Sequence, residues 1–464
     1  MKKTIIALSF AALSAALSAA TVESVLVRQM WPWSTDVMVE YTLVGVTDPV
    51  DVSITAWNGS TMLDSSKISK ALTKTGELFG VSSSGVHSFT FDPVAAFGAS
   101  SVAMGDFRVQ LSVAPSTANM SEVVYKIVDL ISPYTVTDVT RGELLNGKYG
   151  TYATAYSEID SEFSTTLSDV IIWTGVTNST EYLTDKMVFR KIPAGGKSYM
   201  MQEGNSAVNS GAGVQVSFSN DFYISVFEVT QKQYNNFFNI SPYETVPELP
   251  SMRAHTAVRP KWIRPQKWNA ANAGGIHAIS TVDTLCGKMQ NLIGLLFDAP
   301  TEAMWEYACR AGTTGELYTG DNTHTASGSD SHALKIMRAN IGSDEATAGL
   351  DKNSAIPGQY LPNAYGLYDM LGNVQEPCLD ANCSVGNLPG GMNPIASSTG
   401  ENMTAQTASD YTLTLRGGWY SYDVPSITPV NSTGRSSAST SSNARSLGIR
   451  LCIYLDHNDD GRKN

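Results

Sequence analysis

The sequence predicts a chain of two parts, an all-β domain over residues 21–115 and a loop-rich part over residues 187–455. In the first part, apolar and polar residues alternate in short runs, which is the pattern of half-buried strands. The runs are VMVEYTLVG (37–45), DVSITAW (51–57) and FRVQLSVA (107–114), and Gly, Asn, Asp and Ser lie between them. Short strands at this density predict an immunoglobulin-like β-sandwich.

The first 20 residues have the pattern of a secretory signal peptide. Lys2 and Lys3 precede an apolar run, and Ser18 and Ala20 are small residues at a cleavage site. No later stretch reaches the roughly 18 apolar residues of a membrane helix. We therefore expect an exported protein, periplasmic or secreted, that does not span a membrane. The formal net charge is −12 without a basic stripe, which argues against a nucleic-acid partner.

Between and after the two parts, the sequence shows weaker signals of secondary structure. We interpret residues 116–186 as a connector with decoration and residues 456–464 as a polar tail. Two helices are predicted in the loop-rich part. Thr230 is expected to cap the first, and the pair Pro300-Thr301 is expected to begin the second.

Six motifs, in order over about 270 residues, resemble the formylglycine-generating enzyme family, also called sulfatase-modifying factors. They are MVFRKIPAGGKSYMM (187–201), FYISVFEVTQKQYNNFF (222–238), FDAPTEAMWEYACRAGT (297–313), GLYDMLGNVQEPCLD (366–380), LRGGWY (415–420) and RSLGIRLC (445–452). The resemblance implies an α+β fold for this part, of the C-type-lectin-like formylglycine-generating-enzyme type, with little regular structure and many loops. It says nothing about residues 21–186.

The resemblance also implies structural calcium. The family places one calcium with side chains at the positions of Asp369 and Glu376 and carbonyls at those of Gly372 and Val374. Oxygen ligands of this kind suit Ca²⁺. The alternative is that the two acids cap a tight turn through backbone N–H groups. A second family site begins with an Asn-hydrophobic pair, which Asn340-Ile341 matches; its later acid is either Asp344 or Asp351.

Five cysteines are present in the chain. In an oxidising compartment they indicate two disulfides and one odd thiol. The resemblance implies a pair between Cys309 and Cys452, after which Cys378 and Cys383 are close enough in sequence to close a short loop. Cys286 lies on a predicted helix with apolar neighbours, so we expect a buried free thiol there.

This sequence departs from the family at the two positions that bind copper. The family enzyme oxidises a sulfatase cysteine with oxygen and copper, and two of its own cysteines bind the metal. Those positions are Ile427 and Ser432 here, and no cysteine lies between residues 384 and 451. Because Cu(I) requires soft thiolate ligands, we expect no copper site and assign no catalytic residue.

The remaining functional prediction is a ligand groove lined by the C-terminal segment. Its polar side chains and few aromatics suit recognition of a peptide, protein or glycan by a non-copper binding module. Two alternatives stay open: an oxidoreductase acting on sulfatase cysteine with displaced ligands, and a diversified lectin-fold display protein. The alternative for the groove residues is that they are only the surface of a solvated loop. The candidates are Trp419, Tyr420, Tyr422, Ser432, Arg435 and Arg445.

Overall fold

The structure is a computed structural model that describes most of the chain. The described residues are 20–30, 32, 34–62, 77–97, 102, 105–163, 165–167, 169–205, 209–238, 254, 263, 283–315, 317–320, 331–338, 354–402, 412–420, 435–439 and 446–455. They form two compact units. The first unit contains residues up to Val124 together with Val139–Asp160 and Asp169–Val176, and the second contains Tyr125–Asp138, Ser161–Ser168 and the chain from Thr177 onward.

The elements of the first unit are β1 Thr21–Gln29, β2 Val37–Val44, β3 Val50–Asn58, β4 Thr61–Met62, β5 Gly85–Phe91, α1 Pro93–Phe97, β6 Phe107–Pro115 and α2 Arg141–Leu145. Its strands form two three-stranded antiparallel sheets, in the orders β1-β2-β5 and β4-β3-β6.

The alternation seen in the sequence of the first unit corresponds to one shared core. Along β2 every second residue is buried, and Val39, Tyr41 and Leu43 are fully buried. They pack in one hydrophobic cluster with residues of the other sheet, such as Val52 and Ala56 on β3. Burial of each large aliphatic side chain contributes about 1.5–3 kcal/mol to the free energy of unfolding, so this cluster stabilises the unit.

The second unit is built from short strands and few helices. Its elements are β7 Val123–Asp129, β8 Val136–Thr140, β9 Lys186–Ile192, β10 Ser198–Met201, β11 Val214–Ser217, β12 Phe222–Ser225, α3 Gln231–Phe237, α4 Leu285–Ile293, β13 Leu296–Asp298, α5 Glu302–Arg310, α6 Ser331–Ile336, β14 Glu376–Ala381, β15 Gly391–Met392, β16 Thr412–Arg416, β17 Ser436–Ser439 and β18 Cys452–Tyr454. Strands β7 and β8 each extend two residues beyond the unit's bounds. Single 3₁₀ turns lie at Tyr156–Glu158, Thr174–Asn178, Thr180–Leu183, Asn209–Gly211 and Val385–Asn387.

Three sheets organise this unit. The largest has the strand order β13-β18-β12-β9-β7-β8, and a second has the order β10-β11-β15. The third, β14-β16-β17, is antiparallel and pairs Glu376 with Arg416 and Leu415 with Ser436. Strands β7 and β8 come from the predicted connector, so that segment contributes to the largest sheet.

Both predicted helix starts in this unit are confirmed. Thr230 accepts a hydrogen bond from the Gln233 amide, and Gln233 reaches back to the Thr230 amide, which is a complete capping box. Thr301 accepts from the Met304 amide at the start of α5. Among the described residues, no helix is both long enough and apolar enough to cross a bilayer.

Candidate functional site

The segment between Asp369 and Glu376 is a loop with an unusual backbone. Asp369, Gly372 and Asn373 all have left-handed φ angles, of 55°, 82° and 55°. The Gly372 amide donates to the Gly417 carbonyl at 2.7 Å, and the Asn373 amide donates to the Arg338 carbonyl at 2.8 Å. These contacts fix the loop against two distant parts of the chain.

A buried carboxylate holds the loop from inside. Glu228, which lies between β12 and α3, accepts hydrogen bonds from the Val374 amide at 3.1 Å and from the Asn373 side chain. Burial raises the pKa of Glu228 well above its usual range, and the nearby charge of Asp369 raises it further. Glu228 lies in one of the six family-like motifs, but no role is predicted for it from the sequence; its position two residues before the predicted helix cap Thr230 is the available signal.

Both carboxylate oxygens of Glu376 accept hydrogen bonds. The Arg450 Nε donates to one of them at 2.7 Å, and the Trp305 indole N–H donates to the other. Arg450 also donates to the carbonyls of Ser225 and Tyr368, at 2.7 Å each. The buried guanidinium therefore matches the charge of Glu376 and ties it to two other segments.

Asp369 is bonded on one side only. Its Oδ2 accepts from the Gly358 amide at 2.7 Å, while Oδ1 is buried and has no hydrogen-bond partner. Burial raises the pKa of Asp369 to about 6. Of the two predicted calcium carboxylates, Asp369 thus has one oxygen without a hydrogen bond, whereas both oxygens of Glu376 accept one. Among the described residues, no three His, Cys, Asp or Glu side chains are arranged to hold a metal ion.

The ligands predicted for the second calcium site fall outside the described residues. Asn340, Ile341, Asp344 and Asp351 lie beyond the described residues, as do the former copper positions Ile427 and Ser432. Calcium at either site stays a prediction.

A second buried network surrounds helix α5. Glu306 accepts from Arg310 Nε at 2.9 Å and from Arg416 Nη2 at 2.8 Å, and also from both nitrogens of Gln202. Arg416 is completely buried and lies over the Trp305 ring at 4.8 Å. Charge-assisted bonds of this kind are tolerated in the interior because each charge is matched.

Arg435 was predicted to line the ligand groove, but the structure places its guanidinium in this network. It forms a two-point contact with Glu302 and donates to the Cys383 carbonyl at 3.0 Å and the Thr414 hydroxyl at 3.2 Å. Only 5% of its side chain is exposed. Arg435 therefore anchors the start of β17 to α5.

Asp380 completes the network at the helix start. It accepts from the Glu302 amide at 2.5 Å and from the Ala396 amide at 2.7 Å. Burial, together with the neighbouring charge of Glu302, raises the pKa of Asp380 to about 7.

The two described aromatics of the predicted groove lie together after β16. Trp419 is half-buried and Tyr420 is buried, and their rings meet edge to face with centroids 5.1 Å apart. The Tyr420 amide donates to the Asn373 carbonyl, which joins this pair to the loop at Gly372. Tyr422, Ser432 and Arg445 lie outside the described residues.

The predicted disulfides are not formed in this structure, where all five cysteines are free and buried. Cys378 lies on β14, which ends at Ala381, and the Asn382 amide pairs with Thr412 of the neighbouring strand. Cys309 lies on α5 and Cys452 on β18, and the pairing implied by the resemblance is not formed.

The comparisons with known proteins agree with the motif evidence. The family model "Sulfatase-modifying factor enzyme 1-like domain" matches residues 176–455. Formylglycine-generating enzyme of Mus musculus is 39% identical over 84 residues, which are 17% of this chain and 20% of that protein. "Inactive C-alpha-formylglycine-generating enzyme 2" of Mus musculus is 36% identical over 77 residues, 17% of this chain and 24% of that protein. The matched part thus spans about a fifth to a quarter of these relatives' length.

Two solved structures are similar at low identity. "Treponema denticola variable protein 1" has a TM-score of 0.41 and 19% identity, covering 58% of this chain and 95% of that one. PvdO from Pseudomonas aeruginosa has a TM-score of 0.37 and 20% identity, covering 58% of this chain and 94% of that one. Since the family model spans more than half of the sequence, the resemblance inferred from six motifs is confirmed, and the chain belongs to the family of sulfatase-modifying factor enzyme 1-like domains.

Proposed function

We propose that this chain is an exported protein whose family domain is a non-copper binding module for a peptide, protein or glycan. The observation that carries the proposal is the pair Ile427 and Ser432 at the two positions where the family enzyme has copper-binding cysteines. An aliphatic side chain and a protonated hydroxyl cannot replace two thiolates as ligands of Cu(I).

The state of the cysteines supports this proposal. Burial raises the pKa of Cys309 to about 12 and that of Cys378 and Cys452 above the usual range. The thiolate, not the thiol, is the metal ligand and the nucleophile. The chain therefore offers no accessible pair of thiolates that would substitute for the missing two.

The proposal is compatible with membership of the family. One curated relative is itself named an inactive formylglycine-generating enzyme, and a fold does not carry its chemistry with it. The rival function, an oxidase of sulfatase cysteine, rests on the names of the other relatives.

The ligand-binding element would be the segment between β16 and β17. Both of its ends are held: β16 pairs with β17, Tyr420 is tied to Asn373, and Arg435 is tied to Glu302. A half-buried Trp419 at its start offers an aromatic surface of the kind that recognition sites use.

An activity assay separates the two functions. The chain without residues 1–20 is incubated with Cu(I), oxygen and a peptide carrying the sulfatase motif Cys-x-Pro-x-Arg, beside the Thermomonospora curvata relative as positive control. We expect no aldehyde product and no stoichiometric Cu(I) binding. The double variant Ile427→Cys/Ser432→Cys is the matched control, and it is expected to gain Cu(I) binding. Aldehyde formation by the unmodified chain would overturn the proposal.

A further inference from the structure

A short segment joins the two sheets of the first unit along one side. Residues 77–81, here called the strap, run between the edge of β3 and the edge of β5. The Leu78 carbonyl accepts from the Val52 amide of β3 at 2.7 Å, and the Glu77 amide donates to the Ser88 carbonyl of β5 at 3.0 Å. Since β3 and β5 belong to different sheets, the strap closes this side of the unit.

Part of the strap belongs to the hydrophobic core. Leu78 is 3% exposed and lies in the cluster that the two sheets share. The Asn146 side chain, directly after α2, accepts from the Leu78 and Phe79 amides at 3.2 Å each. An opening of the strap therefore uncovers apolar core and leaves backbone groups on β3 and β5 without their partners.

His87 on β5 links the start of the strap to the loop that follows it. The His87 Nδ1 contacts the Glu77 carboxylate, and the Nε2 lies 2.9 Å from the Ser83 carbonyl oxygen. Only 7% of the His87 side chain is exposed, so water has little access to a ring nitrogen that loses its partner.

Both atoms that face the His87 ring nitrogens are hydrogen-bond acceptors. A carboxylate oxygen and a carbonyl oxygen have no hydrogen to donate. The neutral imidazole carries one N–H and the imidazolium carries two, so only the protonated ring donates to Glu77 and Ser83 together. In either neutral tautomer, one nitrogen lone pair faces an oxygen lone pair, and that contact no longer holds the chain.

The other titratable group beside the ring does not supply the second hydrogen. Tyr41 on β2 lies opposite His87, with ring centroids 5.6 Å apart, and its hydroxyl donates to the Glu77 carbonyl instead. Burial, and then the charge of Glu77, raise the pKa of Tyr41 above its usual value, so this donor keeps its proton near neutral pH. In the described part of the chain, Glu77 and Tyr41 are the titratable groups in contact with His87.

We propose that His87 is a pH-dependent clasp on the strap. In a mildly acidic medium the protonated ring binds Glu77 and Ser83 together and holds the strap closed over the core. As the pH rises through the range in which histidine loses its proton, between about pH 5 and about pH 8, one contact is lost and the strap opens more often. The proposal concerns the first unit and does not depend on the binding function of the family domain.

Hydrogen exchange measured by mass spectrometry tests the clasp in the chain without residues 1–20. Peptides that cover residues 77–84 are compared at about pH 5.5 and about pH 8.5, and each rate is divided by that of the unfolded chain at the same pH. We expect the protection of these amides to fall about 10-fold at the higher pH, because one hydrogen bond to a charged group is lost. Peptides from β6 of the same unit are the internal reference and are expected to keep their protection.

Two substitutions should remove the pH dependence in opposite directions. In His87→Phe both contacts are absent, so protection should be low at both pH values. In Glu77→Gln the side-chain amide accepts from a protonated ring and donates to a neutral one, so protection should stay high at both pH values. Glu40→Gln is the matched control: this acid of β2 pairs with Arg28, and its loss should leave the 10-fold fall, approximately, as it is.

Three outcomes would overturn the proposal. They are equal protection of residues 77–84 at both pH values in the unmodified chain, a fall that persists in His87→Phe, and a fall that persists in Glu77→Gln. If His87→Phe does not fold, Glu77→Gln decides alone, since 61% of the Glu77 side chain is exposed and the core is not altered.

Discussion

Replacing Gly372 with alanine tests how tightly the loop is held against the rest of the family domain. A Cβ at this position would lie 2.8 Å from the carbonyl carbon of Arg338 and 2.9 Å from its nitrogen, and closer still to its carbonyl oxygen. These are backbone atoms, and the Asn373 amide bonds the same carbonyl. The neighbour therefore cannot yield in the way a flexible side chain would.

Gly294 provides the matched control for this change. It has the same φ of 82° at the end of α4, but a Cβ there would meet nothing within 4 Å. Gly294→Ala should lower the free energy of unfolding by about 1 kcal/mol. Alanine in a left-handed conformation costs roughly 1–2 kcal/mol, and the lower conformational entropy of the unfolded chain partly offsets this cost.

Gly372→Ala carries the same strain and two further costs. Overpacking adds about 1–3 kcal/mol, and disturbing the bonds to Gly417 and Arg338 adds about 1 kcal/mol for each. We expect a total loss of about 4–6 kcal/mol in the free energy of unfolding, about 3–5 kcal/mol more than in the control. Urea unfolding followed by tryptophan fluorescence measures both variants. Equal losses would refute the close backbone contact.

The remaining predictions concern the α5 network and the thiols. Because burial raises the pKa of Asp380 to about 7 in the fold, the folded chain retains a proton that the unfolded chain releases, and stability falls as pH rises from about 4 to about 7. Between about pH 5 and about pH 8 the free energy of unfolding should fall by about 3 kcal/mol less in Asp380→Asn than in the unmodified chain. Denaturant midpoints at several pH values measure this difference, and an equal dependence of stability on pH in both chains would contradict it. Arg435→Met should cost about 3–5 kcal/mol, since it leaves Glu302 buried with a weaker partner, whereas Arg28→Met at an exposed pair should cost under about 1 kcal/mol. In guanidinium without reductant, all five thiols should react with Ellman's reagent, whereas in the folded chain hardly any should react. Fewer than five reactive thiols in the unfolded chain would indicate that disulfides are present.

The predictions that the structure confirms concern features formed within short stretches of sequence. Thr230 and Thr301 are found as helix caps because a cap needs a hydroxyl and an amide two or three residues later, and both are present in the same short stretch. The family assignment used six such stretches in order.

What the sequence did not predict depends on contacts between distant residues. Arg435 was expected at a groove, yet its partner Glu302 lies 133 residues earlier. Glu228 contacts a loop 146 residues later. No sequence spacing specifies such pairs, since the path of the intervening chain decides them. The predicted Cys378–Cys383 pair shows the same limit: the two residues are close in sequence, yet both thiols are free and buried in the structure.

Arg450 has a consequence for how the family domain folds. Its guanidinium donates to Ser225 and Val226, about 225 positions earlier, and to Tyr368, 82 positions earlier. These three carbonyls and Glu376 are joined by one side chain that follows all of them in the sequence. The interior around the Gly372 loop therefore closes only when the end of the matched family domain packs against its beginning. Such contacts between distant residues favour slow folding, because the intervening chain must be ordered before they form.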